Sequence, residues 1–133
     1  MAVLSEQAFT IVVAEPQVTG RINAIRYWNE DDQDWRFLYT YDGGLLAPPT
    51  LVKGRKLSLC VDWQNTSPAA VVKGHVDVDI TRPDGSSVRL TATQGQDETI
   101  YPGGIQVVVF EDALTLDQVG SYSGTVTLTG VAV

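Results

Sequence analysis

The chain alternates between apolar and polar residues over most of its length, with a period of two. This period places successive side chains on opposite faces of a β-strand, whereas a helix repeats every 3.6 residues. The pattern is clearest in the stretch 72–81, where Val76 and Val78 alternate with His75 and Asp77. The alternation predicts eight strands, over 8–14, 21–28, 35–41, 56–63, 72–81, 88–93, 105–110 and 122–131.

Turn signals separate these stretches. Pro83-Asp84-Gly85 and Pro102-Gly103-Gly104 combine the fixed φ of proline with the free φ of glycine. We predict one helical turn, over 112–119, whose Leu114 and Leu116 would cover the end of a sandwich. Eight strands, short turns and no long helix predict an all-β fold in which two antiparallel sheets pack together. The length of 133 residues suits a single domain, 1–133.

The charge balance narrows the range of partners. Sixteen acidic residues against nine basic ones give a net charge of −7. Nucleic-acid affinity depends largely on Lys and Arg that displace counterions from phosphates. The only basic cluster, Lys53, Arg55 and Lys56, is too small for that role. We therefore expect no nucleic acid and no membrane as a partner.

The cysteine count and the first residues bear on localisation. Cys60 is the only cysteine, so the chain has no intrachain disulfide, which is typical of a reducing compartment or a virion. The stretch 1–7 has no basic region followed by an apolar run, so we expect no signal peptide. The longest apolar stretches, 11–14 and 107–110, are far below membrane-spanning length. These features predict a cytoplasmic or virion-associated protein.

The second half of the chain carries short motifs in a definite order. They are Leu57-x-Leu59-x-Val61-x-Trp63, Asn65-Thr66-Ser67, Arg82-Pro83-Asp84-Gly85, Tyr101-Pro102-Gly103-Gly104 and Leu116-x-x-x-Gly120-x-Tyr122-x-Gly124-x-Val126. This order, over 56–131, resembles immunoglobulin-like β-sandwiches of the bacterial and archaeal adhesion, cell-surface or phage structural type. The resemblance implies such a sandwich with an extra aromatic hairpin, 21–41, ahead of it. It also implies that Tyr122, two residues after Gly120, hydrogen-bonds back to the preceding corner.

The hairpin is rich in aromatic residues, which make up a candidate binding surface. Six of the eleven aromatic residues of the chain fall within fifteen positions. On the second strand Trp35, Phe37, Tyr39 and Tyr41 are two residues apart, so they are predicted to share one face, next to Trp28 on the first strand. That face is the core of one sheet, a protein interface or a platform for a sugar ring.

The loop of this hairpin is strongly acidic. Four carboxylates occur in five positions, namely Glu30, Asp31, Asp32 and Asp34. Oxygen-rich loops suit Ca²⁺, but the EF-hand spacing fails because no Glu closes the loop. We therefore expect a solvated turn whose charge keeps the hairpin from pairing with other chains, with a Ca²⁺ site as the alternative.

Signals for catalysis are sparse. His75-x-Asp77-x-Asp79 lines the polar face of one strand, but residues two apart on a strand are roughly 7 Å apart and no fourth metal ligand is identifiable. His75 is the only histidine, and no orienting partner for it can be identified in the sequence. Cys60 lies between apolar residues with no activating neighbour. We therefore expect no catalytic residue, no cofactor and no enzymatic activity.

These observations favour a non-catalytic structural or interaction protein that acts through protein–protein assembly, with a protein partner or with itself, for example in a virion or phage particle. The alternative is a carbohydrate-binding module that uses the Trp/Tyr face over 27–41. The Thr-rich closing strand, with Thr125, Thr127 and Thr129, is either an edge that pairs with a neighbouring subunit or an ordinary polar outer face.

Overall fold

The computed structural model describes residues 2–133, in which every regular element is a β-strand. The nine strands are β1 (Gly20–Asn29), β2 (Asp34–Thr40), β3 (Gly44–Leu45), β4 (Lys56–Asn65), β5 (Val72–Thr81), β6 (Ser87–Arg89), β7 (Thr99–Ile100), β8 (Ile105–Thr115) and β9 (Ser123–Ala132). They form two antiparallel sheets that pack on each other around one core. The prediction of an all-β chain with two packed antiparallel sheets is confirmed.

The first sheet has the strand order β3-β2-β1-β4-β8. Its strand β4, which lies between β1 and β8, buries Leu59, Val61 and Trp63, which are two residues apart and therefore share the inner face. On β1, Tyr27 lies opposite Leu59 and Ile25 lies opposite Val61, so the same inner face continues across the sheet. The alternation in the sequence thus becomes one apolar face of a sheet.

The second sheet is built around β5. β9 pairs with β5 over its full length, from Val72 opposite Ala132 to Thr81 opposite Ser123. The shorter β6 and β7 both pair with β5 as well, and they share its other edge because a strand has only two edges. This arrangement leaves β9 as one outer strand of the second sheet.

The core lies between the inner faces of the two sheets. Its fully buried side chains include Trp63, Val61 and Phe110 from the first sheet and Val76 and Val78 from the second. The indole of Trp63 lies directly against Gly74, where any Cβ atom would overlap the ring. A glycine at this position therefore allows the largest core side chain to reach across to β5.

A buried asparagine ties the end of β4 to the segments beside it. Asn65 is fully buried, and its side-chain Nδ2 donates to the carbonyls of Ala70 (2.9 Å) and Ile100 (2.8 Å). Its Oδ1 accepts from the Ser67 amide at 2.9 Å. The predicted turn motif Asn65-Thr66-Ser67 is therefore part of the hydrogen-bonded framework of the sandwich.

Two predicted elements are wrong. No strand forms over 8–14, because no other strand lies beside this stretch in residues 2–133. No helical turn forms over 112–119, because β8 continues through Thr115. Leu114 and Leu116, which suggested the turn, are both buried and two residues apart, as in a strand. A bulge at Asp112, whose φ of 46° is positive, lets β8 extend past the predicted end.

The other strand predictions differ from the structure mainly at their ends. Five of them, those that correspond to β1, β2, β4, β5 and β9, agree within two residues. β6 is shorter than predicted and β8 is longer. The two-residue strands β3 and β7 were not predicted, since two residues are too few to show a period.

Candidate functional site

The aromatic residues of the β1–β2 hairpin lie on two faces of the first sheet. Trp28 pairs with Trp35, and their rings meet edge to face with centroids 5.5 Å apart and planes at 71°. Phe37 lies on the same face and is 49% exposed. Tyr39 lies opposite Ile25 and therefore faces the other side. The exposed aromatic surface is thus smaller than the sequence suggests.

The prediction that four aromatic residues of the second strand share one face is wrong, and a β-bulge is the reason. Phe37 and Tyr39 oppose consecutive residues of β1, so Leu38 is an extra residue that reverses the alternation. Tyr41 lies beyond the end of β2, where the guanidinium carbon of Arg21 stands 4.2 Å from its ring centre. Sequence periodicity could not reveal the bulge, since the bulge depends on pairing with β1.

Two of the four carboxylates in the acidic loop pair with arginine. Asp31 accepts a hydrogen bond from Arg55 at 3.0 Å, and Asp32 forms an ion pair with Arg36. Asn29 Oδ1 accepts from the amides of both aspartates and so shapes the turn. Within residues 2–133 no group of three or more His, Cys, Asp or Glu side chains is placed to hold a metal ion. The loop geometry is that of a turn closed by charge pairs.

The polar face of β5 carries a row of charged side chains. His75 Nδ1 lies 2.8 Å from Asp97, and its Nε2 lies 3.0 Å from Asp77. The hydrogen bond to Asp97 is the main reason why the pKa of His75 is raised. Arg89 donates two hydrogen bonds to Asp79 and thereby lowers the pKa of that carboxyl. The histidine is thus held by two carboxylates, with no nucleophile beside it among these contacts.

The single cysteine is not an activated nucleophile. Cys60 is buried in the first sheet, and burial is the main reason why the pKa of its thiol is raised. Since the thiolate is the reactive form, a raised pKa leaves little of it at neutral pH. Cys60 therefore has the environment of a packing residue.

The corner before β9 is held by a tyrosine. The Tyr122 hydroxyl accepts a hydrogen bond from the Gln118 amide at 3.0 Å, four residues upstream. Gly120, between them, has a φ of 132°, and a Cβ atom there would lie only 2.9 Å from the ring of Pro83. Both the backbone angle and the lack of space favour glycine at this position. This contact fixes where β9 begins.

The stretch 2–19, which we call the N-terminal arm, carries a run of exposed apolar side chains outside the core. It forms no regular element and every one of its residues is exposed. Phe9, Ile11 and Val13 are 84%, 76% and 90% exposed. The apolar alternation over 8–14 led to the prediction of a strand within the sandwich. That prediction failed because periodicity does not show which surface a strand covers. The stretch 8–14 of the arm therefore carries apolar side chains that are exposed to solvent.

The free edge of β9, which we call the acceptor edge, is the second such feature. Among residues 2–133, β5 is the only strand that pairs with β9. All ten residues of β9 are uncharged and none is proline. Charges and prolines are the usual means of protecting an outer strand from other chains. The acceptor edge has neither.

The remaining edges of both sheets are partly covered, short or charged. On β5, the Gln96 side chain accepts from the Val76 amide (2.9 Å) and donates to the Val76 carbonyl (2.6 Å), between β6 and β7. On β8, Val109 exchanges backbone hydrogen bonds with Gln94. At the far side of the first sheet, β3 has only two residues. β2 and β8 also carry charged residues, namely Asp34 and Arg36 on β2 and Glu111 and Asp112 on β8. Within the described residues the acceptor edge is thus the long edge that has neither charge nor proline.

A groove of about 200 Å³ runs beside the acceptor edge, which we call the edge groove. It is lined by residues that include Val18, Gly20, Trp63, Val72, Leu128 and Gly130. Trp63 is buried and its indole N–H has no hydrogen-bond acceptor. Val126 and Leu128, on the inner face of β9, are only partly buried. The core is therefore less completely covered on this side.

Comparisons with known proteins do not extend this picture. The chain matches no protein-family model, no curated protein sequence and no solved structure. In residues 2–133 no helix has the length and apolar character that crossing a membrane would require.

Proposed function

We propose that this protein is a non-catalytic structural protein that works by assembling with other protein chains, including copies of itself. The observation that carries the proposal is the exposed apolar N-terminal arm. Full burial of a side chain such as Phe, Ile or Val contributes about 1.5–3 kcal/mol. Phe9, Ile11 and Val13 make no such contribution within their own domain, since all three are exposed. That stabilisation becomes available when the arm contacts another chain.

The finer fold type that we propose is an immunoglobulin-like sandwich in which none of residues 2–133 fills the position of the seventh strand. In that fold one sheet contains strands A, B and E, and the other contains C, F and G. The observed order matches if β1, β4 and β8 are A, B and E, and β5 and β9 are C and F. The position of strand G, beside β9, is then the acceptor edge. A repetitive protein assembly such as a virion or phage particle is the setting that the sequence resemblance suggests.

The carbohydrate-binding alternative has less support. A sugar ring stacks on a flat aromatic surface, whereas the rings of Trp28 and Trp35 stand at 71° to each other. The bulge also moves Tyr39 to the opposite face. The depression beside Trp35 and Phe37 is open to solvent rather than a shaped cleft.

The test is the mass of the protein in solution, measured by light scattering over a range of concentrations. We expect the wild-type mass to exceed that of a monomer and to rise with concentration. The variant Phe9→Asp/Ile11→Asp places two charges in the arm and should be a monomer. Its thermal unfolding should match that of wild type diluted to the monomer, because Phe9 and Ile11 do not contribute to the core.

The matched control is Ser5→Asp/Gln7→Asp, which adds the same charges to polar positions of the same arm and should still associate. A wild-type protein that stays monomeric at every concentration would exclude self-assembly. Equal loss of association in both variants would show that added charge, rather than the loss of apolar contact, is responsible.

A further inference from the structure

We infer that the N-terminal arm of one copy adds to the acceptor edge of a second copy as an extra antiparallel strand. This inference rests on the proposed function and names its partner and its contact surface. Strand addition to an exposed sheet edge uses backbone hydrogen bonds for affinity and alternate side chains for specificity. Each copy carries both an extended apolar segment, the arm, and an exposed sheet edge, the acceptor edge.

The donor segment within the arm is 8–14. Its residues at 9, 11 and 13 are Phe, Ile and Val, which a strand places on one face. No charged residue and no proline occurs within the segment, while Glu15 and Pro16 follow it directly. Because proline cannot donate to a ladder, pairing would end there. Seven paired residues fit within the ten residues of β9.

The edge groove provides a place for the donor side chains. It lies between the acceptor edge and the first sheet, and its lining includes the apolar side chains of Trp63, Val72 and Leu128. A strand beside β9 would direct every second side chain toward this groove. Phe9, Ile11 and Val13 would then contact the core where Val126 and Leu128 are only partly buried.

The path of the chain argues for a second copy rather than the same one. A Cβ atom on Gly20 would lie 3.2 Å from Leu128, and one on Gly130 would lie 3.9 Å from Val18. When the chain is followed backward from Gly20 to Val18, the residue of β9 that lies next to it changes from Leu128 to Gly130. Continued in this direction, the arm passes the end of β9 at Ala132. An arm on its own β9 would have to reverse direction and pair in parallel, whereas every strand pair within residues 2–133 is antiparallel.

The stoichiometry follows from one donor and one acceptor per copy. Because the two surfaces differ, each contact is head to tail and the assembly is a chain, a closed ring or a reciprocal pair. In each of these arrangements every acceptor edge away from an open end is filled by the arm of another copy.

The test is disulfide cross-linking between two single-cysteine variants of the full chain, both carrying Cys60→Ser. The donor is Val12→Cys, whose side chain points away from the groove if Val13 points into it. The acceptors are Thr125→Cys, Thr127→Cys and Thr129→Cys, each tested alone, which lie on the outer face of β9. A disulfide needs Cα atoms about 4.4–6.8 Å apart, so only a facing pair reacts.

Donor and acceptor variants are mixed under mild oxidation. We expect at least one acceptor to form a covalent heterodimer, at a yield about tenfold above that of a control acceptor. A tenfold ratio corresponds to about 1.4 kcal/mol. The control acceptor is Ser87→Cys, which is also exposed but lies on β6, at the opposite edge of the same sheet. Size tags of different mass distinguish the heterodimer from homodimers.

Two results would overturn the inference. Wild-type protein that associates in solution while none of the three acceptors cross-links above the Ser87→Cys control would show that assembly uses another surface, and the proposed function would stand. A chain carrying both Val12→Cys and Thr127→Cys that closes an intrachain disulfide at monomer mass would show that the arm occupies its own β9.

A second measurement tests which face of the arm is buried. Val12 and Val13 are 86% and 90% exposed, so Val12→Asp and Val13→Asp are matched changes. We expect Val13→Asp to weaken association at least about tenfold more than Val12→Asp, since a single charge in an apolar groove loses its hydration. Equal effects of the two variants would contradict strand pairing and indicate non-specific hydrophobic association.

Discussion

At the residue scale, a few buried polar groups hold the sandwich together, and Asn65 is the clearest case. Its side chain makes three hydrogen bonds at a fully buried position. Such a side chain cannot be replaced by an apolar one without leaving its partners unsatisfied. The sequence marked this position as part of a turn, but only the structure shows that it joins three segments.

We predict that Asn65→Ala lowers the free energy of unfolding by about 3 kcal/mol, because each buried polar group left without a partner costs about 1–3 kcal/mol. Chemical denaturation monitored by tryptophan fluorescence measures this change. The neighbouring control, Thr66→Ala, alters an exposed residue and should change the free energy by only about 0.5 kcal/mol. If the two variants lose similar stability, the asparagine network is unimportant.

His75 makes the stability of the fold depend on pH. Its carboxylate neighbours Asp97 and Asp77 raise its pKa above the unfolded value of about 6.5. A group whose pKa is raised on folding stabilises the protein below the unfolded pKa, and this contribution is lost as the pH rises through the folded pKa. We therefore expect the wild type to be more stable than His75→Gln at about pH 5.5, with the difference shrinking toward about pH 8.5.

Denaturation of both proteins across this pH range provides the measurement. Asp97→Asn removes the largest cause of the shift, so the pH at which the stabilisation disappears should move down. A stability difference between wild type and His75→Gln that is the same at every pH would show that the histidine does not titrate differently in the folded state.

At the element scale, the β1–β2 hairpin shows how pairing alters a pattern that seemed clear. The aromatic alternation over 35–41 would make one face of a regular strand, but the bulge at Leu38 divides it between two faces. Bulges depend on the partner strand, and an alternation of residue types does not reveal them. The location of the hairpin followed from the sequence, whereas its two faces did not.

The loop of the hairpin gives a prediction about metal ions. Asp31 and Asp32 are already paired with Arg55 and Arg36. A bound ion would have to compete with these arginines, so we expect the same melting temperature in excess Ca²⁺ and in excess EDTA. Ligands that bind the folded state raise the melting temperature, so differential scanning calorimetry checks this directly. A Ca²⁺-dependent increase that is lost in Asp34→Asn would establish a calcium site.

The two outer strands of the second sheet differ in how they are protected. β6 is three residues long, and the outer edge of β5 next to it is covered by the Gln96 side chain. β9 has ten residues and no such cover. An outer strand of this length without charge or proline is a template for another chain. This difference between the two edges is the reason for placing the assembly surface at β9.

At the scale of the whole molecule, the arm and the acceptor edge are complementary. Within residues 2–133, the arm exposes an apolar strand sequence that pairs with no sheet, and β9 exposes an edge that pairs with no further strand. The net charge of −7 opposes close approach of copies, but neither the donor segment 8–14 nor β9 contains a charged residue. The charged residues that repel two copies therefore lie outside the proposed contact between the arm and the acceptor edge.

The sequence alone determined which stretches have the period of a strand and that the fold is all-β, because alternation is a local property of the chain. The resemblance to immunoglobulin-like sandwiches implied a corner at Tyr122 and Gly120, and the threonine pattern marked the closing strand as a candidate edge. Only the tertiary structure decided which edges are covered, since coverage depends on contacts between distant residues, such as Gln96 with Val76. For the same reason, only the tertiary structure showed that the stretch 8–14 lies outside the core. An apolar alternation predicts a strand with one buried face. Whether that face is buried in the same chain depends on which strands the fold places beside it.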